Sequence, residues 1–145
     1  HIDRGGYALG ICNGFQILTE AGILPGILQQ NTGTKFISKV IDLRVNNTSS
    51  TFTHSYSSNT TISIPIAHHE GNYFASKDDL KKLKDRNCIA FEYIENPNGS
   101  SDNIAGILSK NHRVLGMMPH PERHTESVHG CQDGYPFFKG LLETS

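Results

Sequence analysis

The chain has 145 residues, enough for one domain with its own hydrophobic core. Its 13 basic and 14 acidic side chains give a net charge of −1 at pH 7, which excludes the broad basic surface of a nucleic-acid-binding domain. No apolar run approaches the roughly 18 residues of a membrane span. The three cysteines form an odd, sparse set, which indicates reduced thiols and a cytoplasmic setting.

The first predicted element is a short apolar strand that turns sharply into a helix at Cys12. The run reads ALGICNGFQ, so the cysteine lies between two glycines. Small residues at Gly10 and Gly14 allow a strained turn and close packing of the helix on its strand. The helix is predicted over residues 15–21, with Gly22 as its C-terminal cap.

The position of Cys12 at the start of a helix indicates a nucleophile. Backbone N–H groups and the helix dipole favour the thiolate there, and the thiolate is the reactive form. The alternative is a small buried hydrophobe, the usual role of an isolated cysteine in an apolar stretch. The flanking glycines favour the nucleophile, because they serve no purpose in a plain core strand.

The rest of the chain reads as strands and turns with few helices. In chain order the predictions are a half-buried strand (36–45), a loop (46–59), a strand (62–66), a helix (77–84), a strand (88–94), a turn (96–99), a hairpin (104–108 with 114–118) and a final helix (135–142). Pro65 indicates that the strand over 62–66 lies at an edge of the sheet or that the proline is near the strand's end, because proline offers no backbone donor. Ser76 is the predicted N-cap of the helix that follows it.

The segment Pro119-His120-Pro121-Glu122 directly follows the last predicted strand. Two prolines stiffen it, so a histidine and a carboxylate two residues apart can be held in a fixed orientation. Glu122 can orient His120, and His120 can act as base to a distant cysteine. A surface loop histidine is the alternative reading of His120.

A second group of polar residues, His68-His69-Glu70-Gly71, suggests metal chemistry. Together with His120, Glu122 and His124, it offers ligands of the kind that zinc or iron prefers. Two arguments oppose a metal site. It leaves Cys12 without a role, and adjacent histidines on a strand point to opposite faces. We therefore expect neither a catalytic metal nor a cofactor.

These motifs resemble those of class I glutamine amidotransferases, in the residues around Cys12 and in the run from Pro119 to Arg123. Within that class, the chain is similar to the small glutaminase subunits of bacterial phosphoribosylformylglycinamidine synthase. Three further stretches carry the narrower resemblance: PIAHHEGNYF (65–74), NPNGS (96–100) and NIAGI (103–107).

The resemblance implies an α/β fold with an open, mostly parallel, flavodoxin-like sheet. Family members carry several strand–helix units before the nucleophile turn, whereas this chain reaches that turn within its first residues. Residues 1–145 are therefore expected to be the C-terminal part of a single glutamine amidotransferase domain that lacks its N-terminal strand–helix units.

The resemblance also assigns roles to residues. Cys12, His120 and Glu122 are implied to form a catalytic triad that hydrolyses glutamine. The backbone N–H of Asn13 is an expected oxyanion donor, as the group just after the nucleophile. Substrate contacts are implied for three residues: Gln16, Glu70 and Gly71. Each of these three has an equally plausible structural role.

The implied activity is that of a glutaminase within an ATP-dependent carbon–nitrogen ligase of purine biosynthesis. Ammonia passes to a larger synthetase subunit that makes formylglycinamidine ribonucleotide, and a small accessory subunit completes the expected complex. Two alternatives stay open. One is a glutaminase domain that serves another ATP-dependent amidating enzyme, and the other is an inactive or peptidase-like relative of the same fold.

Overall fold

The computed structural model describes residues 6–29, 37–57, 60–68, 72–97 and 99–120. Over these ranges the elements in chain order are β1 (Ala8–Ile11), α1 (Asn13–Glu20), β2 (Ile27–Gln29), β3 (Ile37–Val45), β4 (Thr61–His68), β5 (Asn72–Phe74), α2 (Lys77–Asp85), β6 (Ile89–Tyr93), a 3-10 turn (Ser101–Asn103), β7 (Ile104–Leu108) and β8 (Val114–Met117). The predicted helix over 135–142 lies outside the described residues.

A mixed sheet forms the centre of the fold. Within the described ranges it has six strands in the order β1-β8-β7-β6-β3-β4, and β2 pairs with β5 in a separate small sheet. In this part of the chain only β1 and β8 are parallel, while the other neighbours in the large sheet are antiparallel. The buried faces of these strands supply most of the core, with Leu43, Ile64 and Ile107 fully buried.

The predicted α/β class is confirmed, but the strand directions differ from the expected mostly parallel sheet. For β7 and β8 the physical reason is the length of the connection. Five residues join β7 to β8, which permits only a hairpin, because a parallel return needs a crossover of a dozen or more residues. The hairpin itself was predicted from the sequence and is confirmed. The domain assignment for residues 1–145 stays a prediction.

Local sequence signals locate several elements correctly. The side-chain oxygen of Ser76 accepts a hydrogen bond from the backbone N–H of Asp79 at 3.2 Å, as an N-cap should. Gly22 has a φ of +74°, the left-handed conformation expected just after a helix. Pro65 lies within β4, which is the last strand of the sheet order in the described ranges, so of the two predicted positions, an edge or a strand end, the structure has the edge.

The predicted loop over 46–59 is irregular where it is described, yet part of it is core. Phe52 and Tyr56 are buried, and the Tyr56 ring packs edge-on against Phe91 with centroids 6.3 Å apart. The buried Asn47 organises the backbone around them. Its Nδ2 donates to the carbonyl of Asn87 at 2.6 Å. The many serine and threonine residues of this segment predict an exposed loop, so the sequence pattern does not indicate that its two aromatic side chains are buried.

Gly10 allows α1 to pack closely against β1. A Cβ at Gly10 would lie 2.6 Å from the backbone of Gly14 and 2.6 Å from a methyl of Leu18, whereas a Cβ at Gly14 meets nothing within 4 Å among the described residues. The close approach predicted from this glycine pair therefore depends on Gly10. A side chain at position 14 would point into open space in the described part of the structure.

We expect Gly10→Ala to lower the free energy of unfolding by about 1–3 kcal/mol, the usual cost of overpacking. Gly14→Ala is the matched control, and we expect it to change stability by less than about 1 kcal/mol, with alanine favoured in a helix. Urea unfolding of the two variants beside the wild type measures both effects. Equal midpoints for Gly10→Ala and the wild type would contradict this packing.

Candidate active site

Cys12 occupies the sharp turn between β1 and α1. Its φ of 58° and ψ of −108° lie in a region that non-glycine residues rarely adopt. Hydrogen bonds hold this conformation on both sides. The Cys12 N–H donates to the carbonyl of Met117 at 2.8 Å, and the Cys12 carbonyl accepts from the N–H of Phe15 at 3.0 Å. Backbone strain of this kind costs about 1–3 kcal/mol and is concentrated at functional sites.

Asn13 and Gln16 lie on the first turn of α1. The N–H of Asn13 is at the first helical position, where the preceding turn offers it no helical acceptor, so it is available to an oxyanion beside Cys12. The Gln16 side-chain amide donates to the carboxylate of Glu20 at 3.3 Å along the helix surface. A substrate contact by Gln16 would compete with that bond, and both roles stay predictions.

The segment after β8 brings His120 to the same end of the sheet as Cys12. β1 and β8 run parallel with Ile11 opposite Met117, so their carboxyl ends lie side by side. Cys12 follows the first strand directly, and His120 lies three residues beyond the second. The Nε2 atom of the His120 ring is buried. The structure thus places the predicted nucleophile and base on adjacent strand ends.

A backbone contact from the far side of the sheet fixes His120. Its N–H donates to the carbonyl of Pro65, in β4, at 2.8 Å. In a flat sheet β8 and β4 would lie roughly 19 Å apart, at about 4.8 Å for each of four strand spacings. The 2.8 Å contact therefore requires the sheet to curl, which brings Pro65 of β4 to the segment that follows the carboxyl end of β8. We call this region the closed end of the sheet.

Three predicted site residues, Glu122, Glu70 and Gly71, lie outside the described residues, as do His69 and His124. The complete triad and the substrate contacts of the 69–71 segment therefore stay predictions. Among the residues that the structure describes, no group of three or more histidine, cysteine, aspartate or glutamate side chains is arranged to hold a metal ion. No helix in the described ranges is long and apolar enough to cross a membrane.

Cys88 provides an internal comparison for Cys12. It is buried just before β6, and its thiol lies 3.5 Å from the carbonyl oxygen of Ser109. Burial raises the pKa of the Cys88 thiol, and the nearby positive charge of Arg86 only partly offsets this effect. A cavity of about 310 Å³ adjoins Cys88, lined partly by Leu108 and Lys110 at the opposite end of β7 from the closed end. This cavity is separate from the candidate active site.

We expect a chloroketone analogue of glutamine to label Cys12 before Cys88. Cys12 lies at a helix start that favours the thiolate, whereas burial keeps Cys88 protonated. Peptide mapping by mass spectrometry after brief labelling measures the order. In a Cys12→Ala variant the early label should disappear without transfer to Cys88. Preferential labelling of Cys88, or of Cys131 outside the described residues, would contradict the assignment of the nucleophile.

Sequence reasoning gave no role to Tyr93, the last residue of β6. The structure places it at the closed end, and its hydroxyl is buried there. A tyrosine in a strand is common and its hydrogen-bond state is invisible in a sequence, so no pattern could have singled it out.

Comparison with known proteins shows the family of the chain. Residues 1–132 match the family described as CobB/CobQ-like glutamine amidotransferase domain. The phosphoribosylformylglycinamidine synthase subunits PurQ of a Ruegeria species and of Ruegeria pomeroyi are 56% and 57% identical over 141 residues, which is 97% of this chain. The solved structure of PurLQS from Thermotoga maritima aligns with 99% of the chain at a TM-score of 0.90 and 40% identity.

The chain spans 64% of the length of each of these relatives, in the sequence comparisons and in the structural one. The family match covers far more than half of the chain and includes both Cys12 and His120. The chain belongs to the CobB/CobQ-like glutamine amidotransferase domain family.

Proposed function

We propose that this chain is the glutaminase subunit of a phosphoribosylformylglycinamidine synthase. The observation that carries the proposal is the strained turn at Cys12, with φ 58° at the start of a helix, beside the strand end that leads to His120. A non-glycine residue held in this conformation between a strand and a helix is the arrangement of an exposed nucleophile. The family match and the identity to PurQ proteins support the same activity.

In the proposed reaction, the Cys12 thiolate attacks the side-chain amide carbon of glutamine. The amide C–N bond breaks, and His120 delivers the proton that it took from the thiol to the departing ammonia. Glu122 orients the imidazole and stabilises its cationic form. His120 then activates a water molecule that hydrolyses the glutamyl thioester, which releases glutamate and restores the thiol.

The developing oxyanion needs preorganised donors, and the N–H of Asn13 is one of them. Gln16, Glu70 and Gly71 are the proposed contacts of the glutamine substrate. The backbone hydrogen bond from His120 to Pro65 holds the base segment, so less reorganisation is needed when glutamine binds.

The proposed destination of the ammonia is a larger, ATP-dependent synthetase subunit that forms formylglycinamidine ribonucleotide, with a small accessory subunit in the same complex. The names of the relatives support this part of the proposal, as subunits of that synthase and as members of a PurLQS assembly. We place the enzyme in the cytoplasm, because its three cysteines form an odd and sparse set.

The test measures glutamate release from glutamine by the full-length protein, alone and with its synthetase and accessory subunits. We expect glutamine-dependent amidation of formylglycinamide ribonucleotide by the complex, with one glutamate formed for each amidine. Amidation of a different acceptor by another synthetase would redirect the proposal to that enzyme. Absence of glutamate release under every combination would refute it.

A further inference from the structure

The ring of Tyr73 packs against the first turn of α1 from outside the large sheet. Tyr73 is the middle residue of β5, in the small sheet, and is 1% exposed. Its ring stacks on the ring of Phe15, the third residue of α1, with centroids 5.6 Å apart and an interplanar angle of 20°. Aromatic pairs at this separation attract each other beyond the area that they bury. The proposed mechanism gives neither ring a role.

Phe15 connects this stack to the nucleophile turn through its backbone. Its N–H donates to the carbonyl of Cys12 at 3.0 Å. Its side chain is fully buried and lies against β8 at Gly116, where an added Cβ would overlap the Phe15 ring. The ring of Phe15 therefore contacts the strand that leads to His120 as well as the ring of Tyr73. A shift of this ring would displace the backbone that supports Cys12.

The other end of the Tyr73 side chain is held by the segment that follows α1. Its hydroxyl donates to the carbonyl of Pro25 at 2.6 Å. Gly26 allows the ring to approach, because an added Cβ at this glycine would lie 2.6 Å from the hydroxyl oxygen. Tyr73 thus spans the distance between the chain just after α1 and the first turn of that helix. Its ring is fixed from both sides when it stacks on Phe15.

The turn at Cys12 needs such support. Strained backbone conformations persist only where the surrounding structure imposes them, and Cys12 has a φ of 58° and a ψ of −108°. The hydrogen bond from the Cys12 N–H to Met117 ties the turn to β8. The Phe15 ring fixes the position of α1 relative to the same strand. The two contacts together determine the path of the chain through Cys12.

We propose that Tyr73 is a positioning residue for the nucleophile: its ring, through the stack on Phe15, holds Cys12 in the strained conformation that places the sulfur at the start of α1. The assignment rests on the proposed glutaminase function. No proton or bond in the reaction passes through Tyr73. Its contribution is to keep the thiol where the N–H groups of the first helical turn favour the thiolate.

The test compares three variants of the full-length protein: Tyr73→Leu, Tyr73→Phe and Tyr56→Leu. Tyr56 is a matched control, because it is also buried and packs on an aromatic ring, that of Phe91. It follows β3, which runs opposite to β1, so it lies at the end of the sheet away from Cys12. Three quantities are measured: the rate of Cys12 alkylation by iodoacetamide, kcat at saturating glutamine, and the thermal midpoint. The rates are taken well below the lowest midpoint.

For Tyr73→Leu we expect alkylation of Cys12 to slow by about three- to tenfold. When the turn relaxes, the thiolate fraction falls, and the higher nucleophilicity of a less acidic thiol partly offsets this fall. We expect kcat to fall by about 10- to 100-fold, as misplacement of a reacting group by about 1 Å can do. Tyr56→Leu should unfold at a lower temperature, as Tyr73→Leu does, but alkylate within about twofold of the wild-type rate.

Tyr73→Phe tests whether the ring carries the effect. Phenylalanine keeps the stack on Phe15 and loses only the hydrogen bond to Pro25. We expect a lower thermal midpoint, because a buried carbonyl loses its donor, with alkylation and kcat within about twofold of the wild type. If Tyr73→Leu does not fold, Tyr73→Met replaces it with the same expected results, because methionine fills the space without a flat ring.

Wild-type alkylation and kcat in the leucine or methionine variant would overturn the inference. Equally slow alkylation in Tyr56→Leu would overturn it too, because reactivity would then follow general stability. Tyr73→Phe as slow as Tyr73→Leu would remove the ring from the argument. Alkylation needs no glutamine, so this readout separates the two proposals. A wild type that releases no glutamate refutes the glutaminase function, while slower alkylation of Tyr73→Leu alone still supports the positioning of Cys12.

Discussion

Replacing Cys12 with alanine is expected to lower kcat/KM for glutamate release by at least ~10³-fold. Without its nucleophile the covalent mechanism cannot operate, and comparable nucleophile knockouts lower kcat by about 10⁶-fold. The substitution removes only the thiol, while the hydrogen bonds that shape the turn come from the Cys12 backbone and remain available. The folded structure should therefore survive, and the loss should appear in kcat with little change in glutamine binding. A coupled glutamate dehydrogenase assay measures the rate.

Cys88→Ala is the matched control for this experiment. Cys88 is a buried thiol at the opposite end of the sheet, and burial raises its pKa, so it takes no part in the chemistry. We expect Cys88→Ala to keep glutaminase turnover within about twofold of the wild type, even if removal of a core group lowers stability by about 1 kcal/mol. Turnover of Cys12→Ala above one tenth of the wild-type rate would contradict covalent catalysis by Cys12.

The sequence carries enough information for the local part of the site. The glycines two residues before and after Cys12 predict a strained turn, because few other backbone conformations require glycine at that spacing. The observed φ of 58° at Cys12 agrees with this prediction. The Ser76 cap and the β7–β8 hairpin are equally local, since each depends on residues a few positions apart. Short-range signals of this kind can be recognised in the sequence because the conformation depends mainly on neighbouring residues.

The long-range part of the site could not be predicted in the same way. The contact between His120 and Pro65 joins residues that are 55 positions apart, and it depends on how far the sheet curls. Hydrophobic periodicity marks a strand without giving its direction, and the expected mostly parallel sheet came from the family resemblance.

Replacing His120 with alanine is expected to lower glutamate release by at least ~100-fold, the low end of general acid–base contributions. Both steps of the proposed mechanism use this imidazole: it transfers the thiol proton to the departing ammonia in the first step and acts as base to water in the second. Alanine keeps the backbone N–H that donates to Pro65, so the segment after β8 retains its anchor. The loss should therefore fall on kcat, while KM for glutamine changes little.

His112→Asn is the control for His120→Ala. His112 is a loop histidine at the opposite end of β8, its φ is +60°, and asparagine tolerates that conformation better than most residues. We expect the control to turn over at the wild-type rate. Added imidazole should restore part of the activity of His120→Ala, because a small base can occupy the space of the lost ring, and it should leave Cys12→Ala inactive. A kcat for His120→Ala within tenfold of the wild type would remove His120 from the mechanism, and the base would then have to be sought elsewhere at the closed end of the sheet.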